Sequence, residues 1–298
     1  MSNETVGLFW WAPLRQPRVL AREVLRSGGS WARASATGGL PLRNFGDYLS
    51  QSVTRYATGT RVEWASPEKA DLYGVGSILE IALKSENRAV VWGSGLRAAG
   101  PTHLKGRDHK VIVAVRGQLT RDALDLPNDI PLGDPALLLR RTAGAAQGGQ
   151  SIVVIPHFNA FGDGAARGLL RSAQSCGMTL ISPTQSLDVV TNAIRSARHV
   201  LTSSLHGKIV ADALGVPATL VHFGPRSEPD FKYHDYMSIW DRRARFVDFQ
   251  TTLDGLSTQT VDIAGEERTA VNHRIEGILD QLVASLDGAV EVALHEVR

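Results

Sequence analysis

Residues 200–217 read Val-Leu-Thr-Ser-Ser-Leu-His-Gly-Lys-Ile-Val-Ala-Asp-Ala-Leu-Gly-Val-Pro, which spells strand, tight turn and helix without a break. No other stretch constrains the chain as much. Residues 198–202 close a β-branched, apolar run, and Ser203 and Ser204 are good N-cap residues. The apolar residues Leu205, Ile209, Val210, Ala213 and Leu214 then recur at helical spacing. Gly215 sits where a C-terminal cap belongs, and Pro217 blocks any return to helix. A start at Ser203 or Ser204 puts His206 and Gly207 in the first turn, where free N–H groups and the positive end of the helix dipole face outwards. Such an end accepts an anion, with His206 on its rim and Lys208 close by. The alternative is a capped helix carrying a satisfied histidine.

At 298 residues the chain is comfortable for two domains, and 43% hydrophobic with 21% charged residues predicts an ordinary globular core. A net charge of +2 is too small to argue for nucleic acid, and the aromatic residues are not interleaved with basic ones. Cys176 is the single cysteine, which excludes an intramolecular disulfide and a cysteine-based zinc site. Helical two-histidine zinc spacing is absent as well; neither a metal nor a cofactor is expected. No run approaches the length of a spanning helix, and residues 1–5 lack a basic, signal-like start. The expected location is the cytoplasm.

Taken in order, residues 6–11 form a buried strand. Residues 12–43 look irregular: a short basic amphipathic segment, 18–26, then a Gly/Ser/Ala loop, 27–39, read as a mobile surface insertion with Trp31 exposed. Arg18, Arg22 and Arg26 lie four apart; a solvated charged face is the plainer reading, and contact with anionic lipid the alternative. Asn44 can cap a helix that carries Asp47 in its first turn and ends near Gly59. A strand covers 60–64. Short apolar runs at 71–77, 88–95 and 110–117 read as buried parallel strands that end in small residues. A helix follows at 118–126, and Asp134 precedes a proline suited to the first helical position. Residues 142–149 have no core pattern and mark a boundary between an N-terminal α/β domain, 1–145, and a C-terminal α/β domain, 146–298. Strands at 151–156, 178–182 and 217–223 and helices at 162–176, 186–197, 227–240 and 266–286 complete the alternation. The fold class is α/β, two Rossmann-like domains facing a cleft, with a C-terminal helix.

Several positions carry chemistry. Gly74-x-Gly76 and Gly93-Ser94-Gly95 are too short for a dinucleotide fingerprint and read as tight turns, but they let a ligand approach backbone closely. Walker A and Gly-x-Ser-x-Gly are absent. Arg116 at a strand end is either a bidentate anion ligand or one arm of an interdomain salt bridge. His157 follows the first strand of the second domain, at the same sheet edge as His206; the alternative is a satisfied loop histidine. Lys232 and Asp235 lie among aromatics in residues 231–236, where a surface helix with buried aromatics is the plainer reading.

In order, Asn44-Phe-Gly-Asp47, Gly74-Val-Gly-Ser77, Trp92-Gly-Ser-Gly95, Val115-Arg-Gly117, Gly133-Asp-Pro135 and Ser204-Leu-His-Gly207 together resemble the polysaccharide pyruvyl transferase family. The resemblance runs from about residue 6 to 240. It implies a two-domain GT-B-like fold and transfer of pyruvate from phosphoenolpyruvate onto a sugar of a cell-envelope polysaccharide or glycolipid, as a ketal. It also implies donor binding by basic residues and the Leu-His motif. Several members carry arginine just before Leu-His; here that position is Ser204.

Ketal formation needs a proton for the methylene carbon, cations for phosphate and carboxylate, and a base for the sugar hydroxyls. His206 is the expected general acid because histidine titrates near neutrality. Asp47 is the expected base or acceptor ligand. A helix N-terminus offers an anion only about 0.3–1 kcal/mol, so Arg116 and Lys232, with His157, are expected to hold the donor. Asn44, Gly76, Gly93, Ser94, Ser203, Ser204, Leu205 and Gly207 complete the expected binding set. The expected partners are phosphoenolpyruvate and a sugar acceptor, lipid-linked in one version and then met at the inner face of a membrane. The rival readings are a nucleotide-sugar glycosyltransferase of the same shape and a non-catalytic glycan-binding relative.

Overall fold

The computed structural model describes residues 5–100, 106–144, 146–223 and 228–289. The chain runs through two successive series of strands and helices, and in the second the strands and α-helices alternate strictly. The first series is β1 (Thr5–Phe9), α1 (Pro17–Ala36), α2 (Phe45–Thr58), β2 (Arg61–Trp64), β3 (Leu72–Tyr73), α3 (Leu79–Lys84), β4 (Ala89–Trp92), β5 (Lys110–Ala114), α4 (Gln118–Ala123) and α5 (Leu139–Thr142). The second is β6 (Ser151–Ile155), α6 (Gly164–Ser175), β7 (Thr179–Leu180), α7 (Leu187–Arg195), β8 (Ala197–Thr202), α8 (Leu205–Leu214), β9 (Ala218–His222), α9 (Phe231–Ser238), β10 (Phe246–Asp248) and α10 (Thr258–Leu286).

Among the described residues these strands form two five-stranded sheets, β2-β1-β3-β4-β5 and β10-β9-β8-β6-β7, and every ladder is parallel. Counted within its own series, the second sheet repeats the strand order of the first, 2-1-3-4-5. Parallel strands are covered on both faces and need continuous apolar sequence; Ala89-Val-Val-Trp92 is buried at every position. In sheets of this order a crevice opens beyond the carboxyl ends of the strands where the order reverses. Those reversals lie between β1 and β3 and between β6 and β8. Residues 74–77 follow β3, and His157 and Ser203–Ser204 follow β6 and β8.

Several expectations change. Residues 12–43 are not a loop: α1 runs through Gly28 and Gly29 for 20 residues. Trp31 is buried, not exposed; its ring stacks on Phe158 with centroids 4.0 Å apart, and its Nε1 donates to Glu23. That stacking holds the helix where its own sequence is weak. A strand, β10, and a longer start to α10 were not legible, and the expected helix start at Ser227 lies outside the described residues. Residues 146–149 are anchored, with Ala146 donating to the Leu214 carbonyl and Gln147 to the Arg195 carbonyl. The terminal helix α10 lies against strands of both sheets, β4, β5 and β9. Its Leu282 carbonyl accepts from Trp92 Nε1 at 2.8 Å, tying the end of the chain to the first sheet.

Candidate functional site

The α8 start forms as its sequence requires. Ser204 is the N-cap, its Oγ accepting from the Gly207 amide at 3.4 Å, and Gly215 closes the other end at φ 74°. Thr202 Oγ1 accepts from the Ser204 amide, and Ser203 Oγ accepts from the His157 amide at 2.8 Å. The carboxyl ends of β6 and β8 are thereby clipped together. The first-turn amides of Leu205 and His206 have no intrahelical acceptor.

His206 reaches from this turn to the opposite half of the molecule. Its ring lies against the first turn of α2, edge-on to Phe45. A Cβ on Gly46 would stand 1.9 Å from His206 Nδ1, so only glycine admits the imidazole here. Asn44-Phe-Gly-Asp47 is therefore a seat for His206. Asn44 Oδ1 caps the helix by accepting from the Gly46 amide at 3.1 Å, Phe45 is core, and Asp47 faces the same space. From the other side Gly76, at φ 104°, comes close to His206 Nε2. That Nε2 is buried with no acceptor or donor among the described residues. Gly46→Ala is expected to displace the ring and cost about 1–3 kcal/mol, the usual penalty of overpacking; a chemical denaturation curve unchanged from wild type would contradict this seating.

Lys232 of α9 is the cation at the centre. Its Nζ lies 2.7 Å from Glu228 Oε2, and Arg97 grips the same carboxylate at 2.8 and 3.2 Å. His157 Nε2 stands 3.9 Å from Glu228. Burial alone would raise the Glu228 carboxyl, but the Lys232 ammonium, helped by Arg97, outweighs it and holds the group at about 2. Burial, then the Lys232 charge, press both His157 and His206 down to about 3, so both rings are neutral at pH 7. Burial pushes the Asp47 carboxyl up to about 8 against the pull of Lys232. Asp47 and His206 both keep part of their surface open to solvent, which tempers these shifts without reversing them. Burial thus favours a protonated Asp47 carboxyl and a neutral His206 imidazole, both within reach of the Lys232 charge.

Other expected site residues do different work. Arg116 is fully buried and does not face the cleft as a free anion ligand. Its Nε and Nη2 both lie 2.9 Å from Asp235 Oδ2, Nη1 donates to Ser77 Oγ, and Nη2 donates to the Leu96 carbonyl. Of the two readings open from the sequence, the buried salt bridge is the one observed. Ser94 is buried too, and its hydroxyl donates to the Gly76 carbonyl at 3.0 Å, joining two glycine turns. Gly93 abuts Pro135. Leu205 is core, and Gly207 makes room for Thr202. Lys208 turns inwards to Asp212 at 2.8 Å and Glu267 at 3.1 Å. The cleft therefore gathers Asp47, Gly76, His157, Ser203, Ser204, His206 and Lys232, while Asn44, Gly93, Ser94, Leu205, Gly207 and Arg116 build its walls. Two cleft residues were missed. Glu228 could have been found from its i,i+4 spacing to Lys232, and Arg97 from its place just past the Gly93-Ser-Gly95 turn. Among the described residues no cluster of three histidine, cysteine or acidic side chains is arranged to hold a metal ion.

The model of the family "Polysaccharide pyruvyl transferase" matches residues 30–221. An uncharacterized protein of Acanthamoeba polyphaga mimivirus is 29% identical over 231 residues, 71% of this chain and 76% of that protein. The succinoglycan biosynthesis protein ExoV of Rhizobium meliloti (strain 1021) is 29% identical over 171 residues, 55% of this chain and about half, 52%, of its own length. A solved structure of a functionally uncharacterized Klebsiella pneumoniae protein is similar with a TM-score of 0.42 at 14% identity, covering 68% of this chain and 88% of that one.

Proposed function

Because the chain belongs to the polysaccharide pyruvyl transferase family, we propose that it transfers pyruvate from phosphoenolpyruvate to two hydroxyls of a cell-envelope sugar, forming a ketal and releasing phosphate. The single observation that carries this reading is geometric: His206 is seated against Gly46 of the turn that carries Asp47, with Gly76 on its other side, and the Lys232 ammonium acts on both groups. We read the two facing sheets as a GT-B-like pair of domains divided near residue 145, with the reaction between them.

The proton inventory suits these two groups. Asp47 gives its proton to the methylene carbon as His206 takes one from the first sugar hydroxyl, and that oxygen bonds to C2. The imidazolium then returns its proton to the phosphate as the C2–O–phosphate bond breaks. The Asp47 carboxylate takes the proton of the second hydroxyl as its oxygen bonds to C2. A methyl group, a ketal and hydrogen phosphate result, and both side chains end as they began. This exchanges the roles expected from sequence, where His206 was the acid, because burial among cations disfavours a charged imidazole and a neutral carboxyl is the better proton store. Lys232, Arg97 and the first-turn amides of α8 take the donor's phosphate and carboxylate. They stand in for the arginine that Ser204 replaces. No metal or cofactor is called for by these steps.

Incubation with phosphoenolpyruvate and a panel of nitrophenyl or lipid-linked glycosides tests the reading. The expected result is phosphate release with the mass gain of a pyruvate ketal on the acceptor. Nucleoside diphosphate release from a nucleotide-sugar donor would favour a glycosyltransferase instead, and glycan binding without turnover of any donor a non-catalytic relative.

Lys232→Met should raise the Michaelis constant for phosphoenolpyruvate by about 10–100-fold, the equivalent of one lost charge-assisted hydrogen bond of about 1.5–3 kcal/mol. Steady-state kinetics in the donor check this, and an unchanged constant would remove Lys232 from the donor site. Such a donor places the reaction in the cytoplasm. On this reading the exposed face of α1, with Arg18, Arg22, Arg26 and the 88%-exposed Leu25, lies towards the membrane when the acceptor is lipid-linked.

A further inference from the structure

A cavity of about 260 Å³ opens along α2, lined by Arg43, Tyr48, Gln51, Ser52, Arg55 and by Leu187 at the start of α7. Tyr48, Gln51 and Arg55 recur at i, i+3 and i+7, so one stripe of the helix, half-buried at Tyr48 and Gln51 and exposed at Arg55, forms the wall. Phe45, Leu49 and Val53, on the other side, are core. The stripe begins beside Asp47 and ends about 12 Å further along the helix axis, at 1.5 Å per residue. The cavity lies just under the ~300–1,000 Å³ of clefts for drug-sized ligands, which suits a single sugar ring.

Its charge is one-sided. Among the described residues neither Arg43 nor Arg55 has a carboxylate partner. Arg43 spreads its guanidinium over the Tyr48 ring, 4.4 Å from the centroid, and its Nε is buried with no acceptor. A buried N–H of a charged group left without an acceptor is costly. A flat cation on an aromatic ring and a second arginine make a surface that recognises a carboxylate or phosphate attached to a polyol; the Gln51 amide between them is anchored by donating to the Val62 carbonyl. The stacking on Tyr48 orients the Arg43 fork before any ligand arrives.

We propose that this groove is an anion-binding subsite for the acceptor glycan: Arg43 and Arg55 hold an acidic group, a carboxylate or a phosphate, on a sugar whose neighbouring unit reaches Asp47 and His206. The assignment of the occupant as acceptor rests on the pyruvyl transferase reading; the anion subsite itself does not. The acceptor is then an acidic or phosphorylated saccharide rather than a neutral one, and the enzyme selects it one turn or more away from the reacting hydroxyls.

Direct binding keeps the two readings apart. Methyl glucuronide, glucose 1-phosphate, neutral methyl glucoside, inorganic phosphate and phosphoenolpyruvate are each titrated into the full chain by calorimetry. The expected result is that at least one charged sugar binds tenfold or more tightly than the glucoside and than inorganic phosphate. The Arg43→Ala/Arg55→Ala variant should lose that preference and keep its affinity for phosphoenolpyruvate. Preference for the glucuronide identifies a uronic acid unit, and preference for glucose 1-phosphate a glycosyl phosphate. Equal binding of charged and neutral sugars, inorganic phosphate binding as tightly as either charged sugar, or a double variant that binds charged sugars as wild type does, would each overturn the proposal. Failure of phosphate release with phosphoenolpyruvate would overturn the transferase reading and leave the subsite standing.

Discussion

Asp47→Asn lowers turnover by about 10²–10⁴-fold with donor affinity nearly intact, as the loss of a positioned general acid does. His206→Gln does the same, and the Asp47→Asn/His206→Gln pair is little worse than either alone, because the two groups pass protons through one cycle and act as a unit. The pH dependence distinguishes the acid from the base. With Asp47 titrating at about 8 and His206 at about 3, kcat/KM is flat through neutrality and falls as pH rises through the Asp47 value, where the proton to be donated is lost. An alkaline limb that persists unchanged in Asp47→Asn would assign it to another group. Stability gives an independent readout. A carboxyl whose folded pKa is raised holds more protons folded than unfolded between about 4 and 8, so its contribution turns unfavourable as pH climbs through that window. Asp47→Asn, without a carboxyl to ionise, should therefore melt higher than wild type at pH 8.5 and no higher at pH 3.5. A variant that loses activity and stability together at both pH values would make Asp47 a structural residue.

How much of this site the sequence reveals depends on the range of the contact. The α8 turn, the Asn44 cap and the Gly59 and Gly215 stops are local, each fixed by residues within one turn, and they are legible one by one. Most strands of the two sheets are legible as short apolar runs, though β10 is not. What makes Gly46 necessary is a histidine in the other half of the chain, and no local rule connects them. The same holds for α1. Gly28 and Gly29 each cost a helix interior about 1 kcal/mol, and long-range contacts offset them: the Trp31–Phe158 stack, made with a residue beyond β6, and the burial of Ala34, whose carbonyl accepts from Ser182 Oγ. Asp47 shows the limit most plainly. Its type and place at a helix start are visible in the sequence, but the burial that pushes its carboxyl up to about 8 comes from the fold around it, and on the proposed chemistry that decides whether it acts as acid or base.

Arg116→Ala, by contrast, acts through the fold. The guanidinium and Asp235 are both fully buried, and Asp235 also accepts from the Thr120 amide and hydroxyl at 2.7 Å each. A Cβ on Gly117 would meet the Asp235 carbonyl at 1.8 Å, so α9 sits hard against the turn that carries Arg116. Removing the arginine leaves a carboxylate desolvated without its counter-charge, which costs about 3–5 kcal/mol, a large part of the roughly 5–15 kcal/mol that holds a native protein together. The denaturant midpoint should fall accordingly with an unchanged slope. Donor affinity of the folded fraction falls too, because α9 also carries Lys232. The Arg116→Met/Asp235→Asn variant separates these effects. Asparagine still accepts from the Thr120 amide and can donate to its hydroxyl, no charge is left buried, and most of the lost stability should return. In that variant donor affinity should stay within about tenfold of wild type, since Lys232 and Arg97 remain. A stable double variant that has lost donor binding altogether would return Arg116 to the donor site as a direct anion ligand, and would require its ion pair with Asp235 to open when phosphoenolpyruvate binds.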